Sequence, residues 1–278
     1  MLGSTIAFSG MHAMIRYGSA EMHPFEIAFF RNMFGLVLLA PLMFRYGIAP
    51  LRTSKLKLHL LRGMFNISSM LCVFYALSIA PLTDVAALTF ASPIFATALA
   101  AFVLGEVVGI RRWSAILVGF LGVIVVLRPG FEGVSLGPVL ALIAALIWGI
   151  ALLVIKVLVR TESSLTITAY MLILLAPMSL IPAMFVWTWP TAEQYLWLLF
   201  IAALGTGGHL FLNQALKEAE TNVVMPIDFV RLIWVSIIGY FAFSEVPDLF
   251  TWIGGAIIFS SALYIAYRES ARRRQKPA

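Results

Sequence analysis

Charge is what this chain has least of. Asp, Glu, Lys and Arg together make up 12% of its 278 residues, and the mean hydropathy is +0.98. Soluble domains carry about 25% charged residues, so a soluble globular fold is excluded. The only long polar pieces are residues 45–59 and the tail after Tyr267, which leaves no room for a separate soluble domain. Strict polar–apolar alternation is missing too, which favours a helical bundle over a barrel. There is one cysteine, Cys72, inside an apolar run. No intrachain disulfide is possible, and it reads as a small packing residue. No charged segment precedes the first apolar run, so a cleaved signal peptide is not expected. The chain has no G-x-x-x-x-G-K-[ST], so it is not expected to hydrolyse ATP. It has no H-E-x-x-H and no G-x-S-x-G, so the common intramembrane hydrolase chemistries have no visible metal or nucleophile. No Cys/His/Asp cluster with ligand spacing accompanies its histidines, so neither a metal nor a cofactor is expected.

Long apolar runs are abundant. An α-helix needs about 20 mostly apolar residues to cross hydrocarbon. Ten such spans are predicted, at 2–18, 25–45, 60–79, 82–104, 112–128, 135–156, 165–187, 193–215, 222–244 and 249–267. Between them lie the turn formers Pro24, Pro81, Pro129-Gly130, Pro190 and Pro247. Pro41, Pro93, Pro177, Pro182 and Pro226 fall inside spans, where a proline can kink or break a helix near a site. Lysine and arginine gather on one side: 15 lie there and two, Arg16 and Arg128, on the other, with Arg31 and Arg231 inside spans. By the positive-inside rule both termini are predicted cytoplasmic. The net charge of +6 sits in loops and tail, which suits a lipid surface rather than nucleic acid.

One stretch occurs twice. Tyr75–Trp113 aligns without a gap onto Gln214–Trp252 at a constant shift of 139, half the chain length. Ten of the 39 pairs are identical: Ala76/Ala215, Leu77/Leu216, Ala80/Ala219, Val85/Val224, Phe90/Phe229, Ile94/Ile233, Phe102/Phe241, Glu106/Glu245, Val107/Val246 and Trp113/Trp252. The glutamate and tryptophan, each just past an apolar run, carry most weight. Two repeats are therefore predicted, 1–130 and 131–278. Five spans per repeat return the second copy to the membrane upside down. Inverted repeats of this kind build secondary transporters with a site near the midplane, and such a pair can alternate between two mirror-related shapes.

Polar residues within spans usually face the bundle interior or a wet cavity. Thr5, Ser9, His12 and Arg16 share one helical face; so do Arg62, Asn66 and Ser69, with Tyr75 further along, and Thr206, His209 and Asn213. Asp228 and Arg231 are spaced i, i+3, with Trp234 beyond. Arg31 lies about six residues inside its span, roughly 9 Å, with no acidic residue at i±3 or i±4. It suits either a substrate carboxylate or a structural partner on another helix. Arg16 and Arg62, near span ends, are expected to snorkel to the interface. Asp228 and Arg231 can simply neutralise each other. Gly205, Gly207 and Gly208 before His209 can serve close helix contact. Tyr75, Trp148, Tyr170 and Trp234 are candidates for stacking on a flat substrate. Glu106 and Glu245, at span ends, fit capping or loop ion pairs.

The stretch YALSIAPLTDVAALTFASPIFATALAAFVLGE (75–106) and the following RRWSAILVGFLGVIVVLRPG (111–130) resemble the EamA domain of the drug/metabolite transporter superfamily. QALKEAETNVVMPIDFVRLIWVSIIGYFAFSE (214–245) is similar to it more loosely, and FFRNMFGLVLLAP (29–41) matches the family's arginine-containing second helix. The resemblance covers essentially the whole chain. It implies ten helices in two inverted five-helix repeats, a central cavity and transport across the bacterial inner membrane. Members similar to the chain include YddG-type exporters of aromatic amino acids and uptake carriers for S-adenosylmethionine or riboflavin. The second copy departs in having Leu232 in place of Pro93 and Ser244 in place of Gly105. The expected function is export of amino acids, aromatic ones included, by a monomer or weak homodimer. Uptake of a nucleoside-like or flavin-like metabolite is the alternative within transport, and an intramembrane enzyme or receptor the alternative outside it. Arg31 would meet a substrate carboxylate. His12, Asn66, His209 and Asn213 would supply hydrogen bonds, with Tyr75, Trp148 or Trp234 as the apolar wall.

Overall fold

The structure, a computed structural model, describes residues 1–47, 51–103, 109–128, 135–219, 224 and 227–274, with backbone only at 100–103 and 269–274. Gly105, Glu106, Val107, Pro129, Gly130, Pro226 and Lys276 lie outside the described residues, as do the side chains of Phe102, Arg272, Arg273 and Arg274. The described chain contains only helices as regular structure: α1 (Leu2–Gly18), α2 (Pro24–Tyr46), α3 (Leu56–Ile79), α4 (Leu82–Thr89), α5 (Ser92–Val103), α6 (Ile110–Leu127), α7 (Leu136–Leu158), α8 (Ser164–Met184), α9 (Ala192–Glu218), α10 (Val230–Phe243) and α11 (Leu249–Arg274). Their starts follow from local chemistry. Pro24 opens α2, where its missing N–H costs nothing, and His23 Nδ1 accepts from the Phe25 amide. Thr191 and Gln194 close a reciprocal capping box on α9.

Among the described residues eight segments are long and apolar enough to cross a membrane, the third of them running through α4 and α5 to Leu99. The other two predicted spans correspond to shorter helices, α1 with 17 residues and α10 with 14. The span predicted at 82–104 is broken at Phe90–Ala91, just before Pro93. The second copy is interrupted at the matching Phe229, although it has Leu232 where the first has Pro93.

Large apolar side chains such as Val37, Phe44, Leu117 and Phe211 are exposed on the outside of the bundle. Ser4, Thr5, Ser9, Asn32 and Asn213 are fully buried. Buried hydroxyls avoid an orphaned donor by bonding back one turn: Ser9 to the Thr5 carbonyl, Thr168 to Ser164 and Ser236 to Leu232.

The packing has two-fold character. α1 packs on α9 and α10, and in exchange α7 packs on α3 and α5. α6 packs on α11, where a Cβ on Gly122 would lie 2.8 Å from the Gly254 carbonyl oxygen, and one on Gly254 would lie 2.7 Å from that of Gly122. On the same pair of helices Ser261 Oγ donates to the Ala115 carbonyl at 2.5 Å. Shifting Gly122 by 139 gives Ser261, and shifting Ala115 gives Gly254, so the two contacts are images of each other, as an isologous interface demands. Since 122 meets 254 while 115 meets 261, the helices run antiparallel. A two-fold relating antiparallel spans lies in the membrane plane; one along the membrane normal would leave them parallel. The ends of α3 and α9 agree in detail. Ala80 (φ −132°, ψ 157°) and Ala219 (φ −131°, ψ 154°) cap them identically, their amides bonding the Ala76 and Ala215 carbonyls. The repeated Phe90 and Phe229 touch, with ring centroids 5.0 Å apart, which puts them at the axis.

Candidate functional site: a polar cavity between the repeats

The two broken helices face one cavity of about 140 Å³. Seven of the eleven residues singled out from the sequence line it: His12, Arg31, Asn66, Trp148, His209, Asp228 and Arg231. α1 brings His12, α2 Arg31, α3 Asn66, α7 Trp148 and α9 His209, while Asp228 and Arg231 come from the break before α10 and its first turn.

Arg31 is 1% exposed. Its Nη1 donates to Asn32 Oδ1 at 2.7 Å, and its Nε has no protein partner. Asn32 is itself held by the Ser179 hydroxyl at 3.2 Å. No carboxylate among the described residues pairs with this guanidinium. It rests on the bare backbone of α9, since a Cβ on Gly205 would lie 2.6 Å from Arg31 Nε and 2.8 Å from Nη2. Gly205 thus serves close contact, and the contact seats Arg31. Gly208 does the same for Phe8, whereas Gly207 faces open space. His209 stands edge-on to Phe8 at 5.0 Å and faces Trp148 at 6.0 Å. The Nδ1 atoms of His12 and His209, Asn66 Nδ2 and Thr206 Oγ1 are buried without a protein partner. Buried polar groups without partners are costly, so a cavity lined by His12, His209 and Asn66 suits a polar guest. Asp228 and Arg231 form an ion pair at 3.5 Å, and the Arg231 guanidinium lies 4.8 Å over the Phe90 ring.

Four candidates are placed elsewhere. Tyr75 packs with His23 and Phe25 at the end of α3. Tyr170 stacks on His59 at 4.4 Å and donates to the Leu51 carbonyl. Asn213 is fully buried between α9 and α8, donating to Thr168 Oγ1. Trp234 is half-buried, with its indole N–H unpartnered. Of the expected apolar wall Trp148 lines the cavity, joined by a phenylalanine cluster, Phe90, Phe229 and Phe259, the last two with rings 3.9 Å apart. The repeat identity Phe90/Phe229 was the available signal for it.

The two arginines expected to snorkel do not. Arg62 is 1% exposed and donates to the Ile167 carbonyl at 2.8 Å. α8 covers it, so its polar contact is a backbone oxygen instead of the interface. Arg16 pairs with Glu245 at 2.7 Å and donates to the Leu77 and Ala80 carbonyls. Glu245 Oε2 accepts the Leu82 amide at 2.9 Å. At this same end of the bundle Arg128 pairs with Asp248, and Thr251 donates to Asp84. Glu26, unremarked in the sequence reading, is fully buried and accepts from Thr188 at 2.8 Å. Cross-ties therefore link the two repeats at the end opposite the chain termini. No group of three or more His, Cys, Asp or Glu that could hold a metal occurs among the described residues.

A model of the EamA-like transporter family matches residues 1–128 and again 135–267. An S-adenosylmethionine uptake transporter of Rickettsia felis is 33% identical over 98% of this chain and 93% of its own. A riboflavin transporter of Rhizobium johnstonii is 30% identical over 100% of this chain and 93% of its own. A solved crystal structure shares the fold with a TM-score of 0.64 at 17% identity, covering 99% of each chain.

Proposed function

The chain belongs to the EamA-like transporter family, and from that premise we propose that it takes up a carboxylate-bearing metabolite of the S-adenosylmethionine kind. At the coarser level it is a multi-pass transporter of small metabolites in the bacterial inner membrane, not an enzyme. The amino-acid export expected from the sequence has no specific support in these likenesses. The S-adenosylmethionine-like alternative keeps the same amino-acid head group and agrees with the uptake transporter that is 33% identical.

The observation that carries this reading is Arg31, a buried guanidinium without a carboxylate partner, facing a cavity walled by aromatic rings. A substrate carboxylate supplies the missing anion. His12, His209 and Asn66 hydrogen-bond the polar middle, and the phenylalanine stack with Trp148 receives a flat base. Residues 1–130 and 131–278 act as the two repeats, both termini lie in the cytoplasm, and rocking of one repeat on the other exposes the cavity alternately to each side. The test is flux into liposomes holding only the purified chain. Labelled S-adenosylmethionine should accumulate chemically unchanged and be blocked by unlabelled compound. Recovery of an altered product, or flux confined to flavins or simple amino acids, would overturn the reading.

A further inference from the structure

Resting on the reading just given, we infer that Asp228 and the phenylalanines around it form a binding subsite for the substrate's sulfonium centre, and that Arg231 occupies this subsite when substrate is absent. The Arg231 guanidinium is where a cationic guest would be. It lies 4.8 Å over the Phe90 ring and 3.5 Å from Asp228. Its hold is loose: the pair is long for a charge-assisted bond, and Arg231 Nε has no protein partner. Phe90 touches Phe229, and Phe229 stacks on Phe259. Aromatic faces beside one carboxylate suit a weakly hydrated cation that has no N–H to donate. A sulfonium is such a cation. An ammonium would need several acceptors.

Charge within the cavity points the same way. Its charged lining is Arg31, Arg231 and Asp228. A guest with both a carboxylate and a fixed positive centre meets Arg31 at one and would be repelled by Arg231 at the other, unless Arg231 releases Asp228. α1 spans the two poles. Met11 lies against the Arg31 seat at Gly205, and Ser9 donates to the Arg231 carbonyl at 3.3 Å. Both poles thus line one cavity and share contacts with α1. Binding exchanges an internal cation for the substrate's own, which selects for substrates carrying one.

The test compares S-adenosylmethionine with S-adenosylhomocysteine, which differ in having a sulfonium or a neutral thioether, as competitors of labelled S-adenosylmethionine uptake in proteoliposomes. The unaltered protein should prefer the sulfonium by about tenfold or more. Asp228→Asn should bring that ratio near one, and Phe90→Leu should lower it even if Asp228→Asn fails to fold. Arg231→Gln, which empties the subsite, should tighten sulfonium binding. Equal inhibition by both compounds in the unaltered protein overturns the subsite and leaves the transport reading intact. So does an Arg231→Gln variant weakened equally toward both, which would make Arg231 a substrate anchor. If S-adenosylmethionine is not carried at all, both readings fall.

Discussion

Removing Arg16 should loosen the end of the transporter where side chains tie the two repeats together. Its guanidinium joins α1 to the end of α3 through the Leu77 and Ala80 carbonyls, at 2.9 and 2.7 Å, and to Glu245 beyond α10. Glu245 in turn holds the first amide of α4. Three segments from both repeats thus meet at one cation. The ion pair is close but poorly aligned as a hydrogen bond, and the side chains are 24% and 14% exposed. Breaking a buried pair costs about 3–5 kcal/mol, and an exposed pair contributes about 0–1 kcal/mol. This partly buried latch contributes about 2 kcal/mol, between those two limits, a roughly thirtyfold shift in population. The shift of 139 carries Arg16 onto Ile155, which is fully buried. Cys72 is the only cysteine, so a Cys72→Ser background allows a single reporter. Thr83→Cys suits the purpose, since Thr83 is 1% exposed next to the latch. Its labelling by an impermeant thiol reagent should accelerate roughly thirtyfold in Arg16→Met. A rate unchanged within about twofold would show that the latch does not hold this end together.

Arg31→Ala should reduce flux by more than about tenfold, as expected for losing a charge-assisted bond to substrate, and Arg31→Lys should restore little because a point charge lacks the fork geometry; normal flux in Arg31→Ala would remove it from the site. Gly205→Ala should mimic that loss by displacing the guanidinium at 2.6 Å, whereas Gly207→Ala, with open space around its Cβ, should behave as the unaltered protein in the same flux assay. Gly122→Leu should lower the melting temperature of the detergent-solubilised protein, because its side chain meets the Gly254 carbonyl at 2.8 Å; an unchanged melting curve would deny the close α6–α11 contact. Reporter fusions at the C-terminus should report a cytoplasmic location, and an external signal would reverse the orientation.

Along a single helix the sequence was decisive. Scarce charge and long apolar runs fixed a membrane bundle, since lipid offers the backbone no partner and only helices or closed barrels satisfy it internally. The repeat offset was visible because both copies need the same break and the same caps, at Phe90 and Phe229 and at Ala80 and Ala219. Arg31 stood out because an unpaired charge deep in a span is too costly to be accidental. What tertiary structure alone decided was direction around each helix. Lipid-facing and core-facing surfaces are both apolar here, so hydropathy did not reveal that Tyr170 turns to His59 and Leu51 instead of the cavity. Nor did it reveal that Arg62 lies under α8 while Arg16 joins both repeats. Those outcomes depend on partners a hundred or more residues away, brought together by the exchange of helices between the two halves.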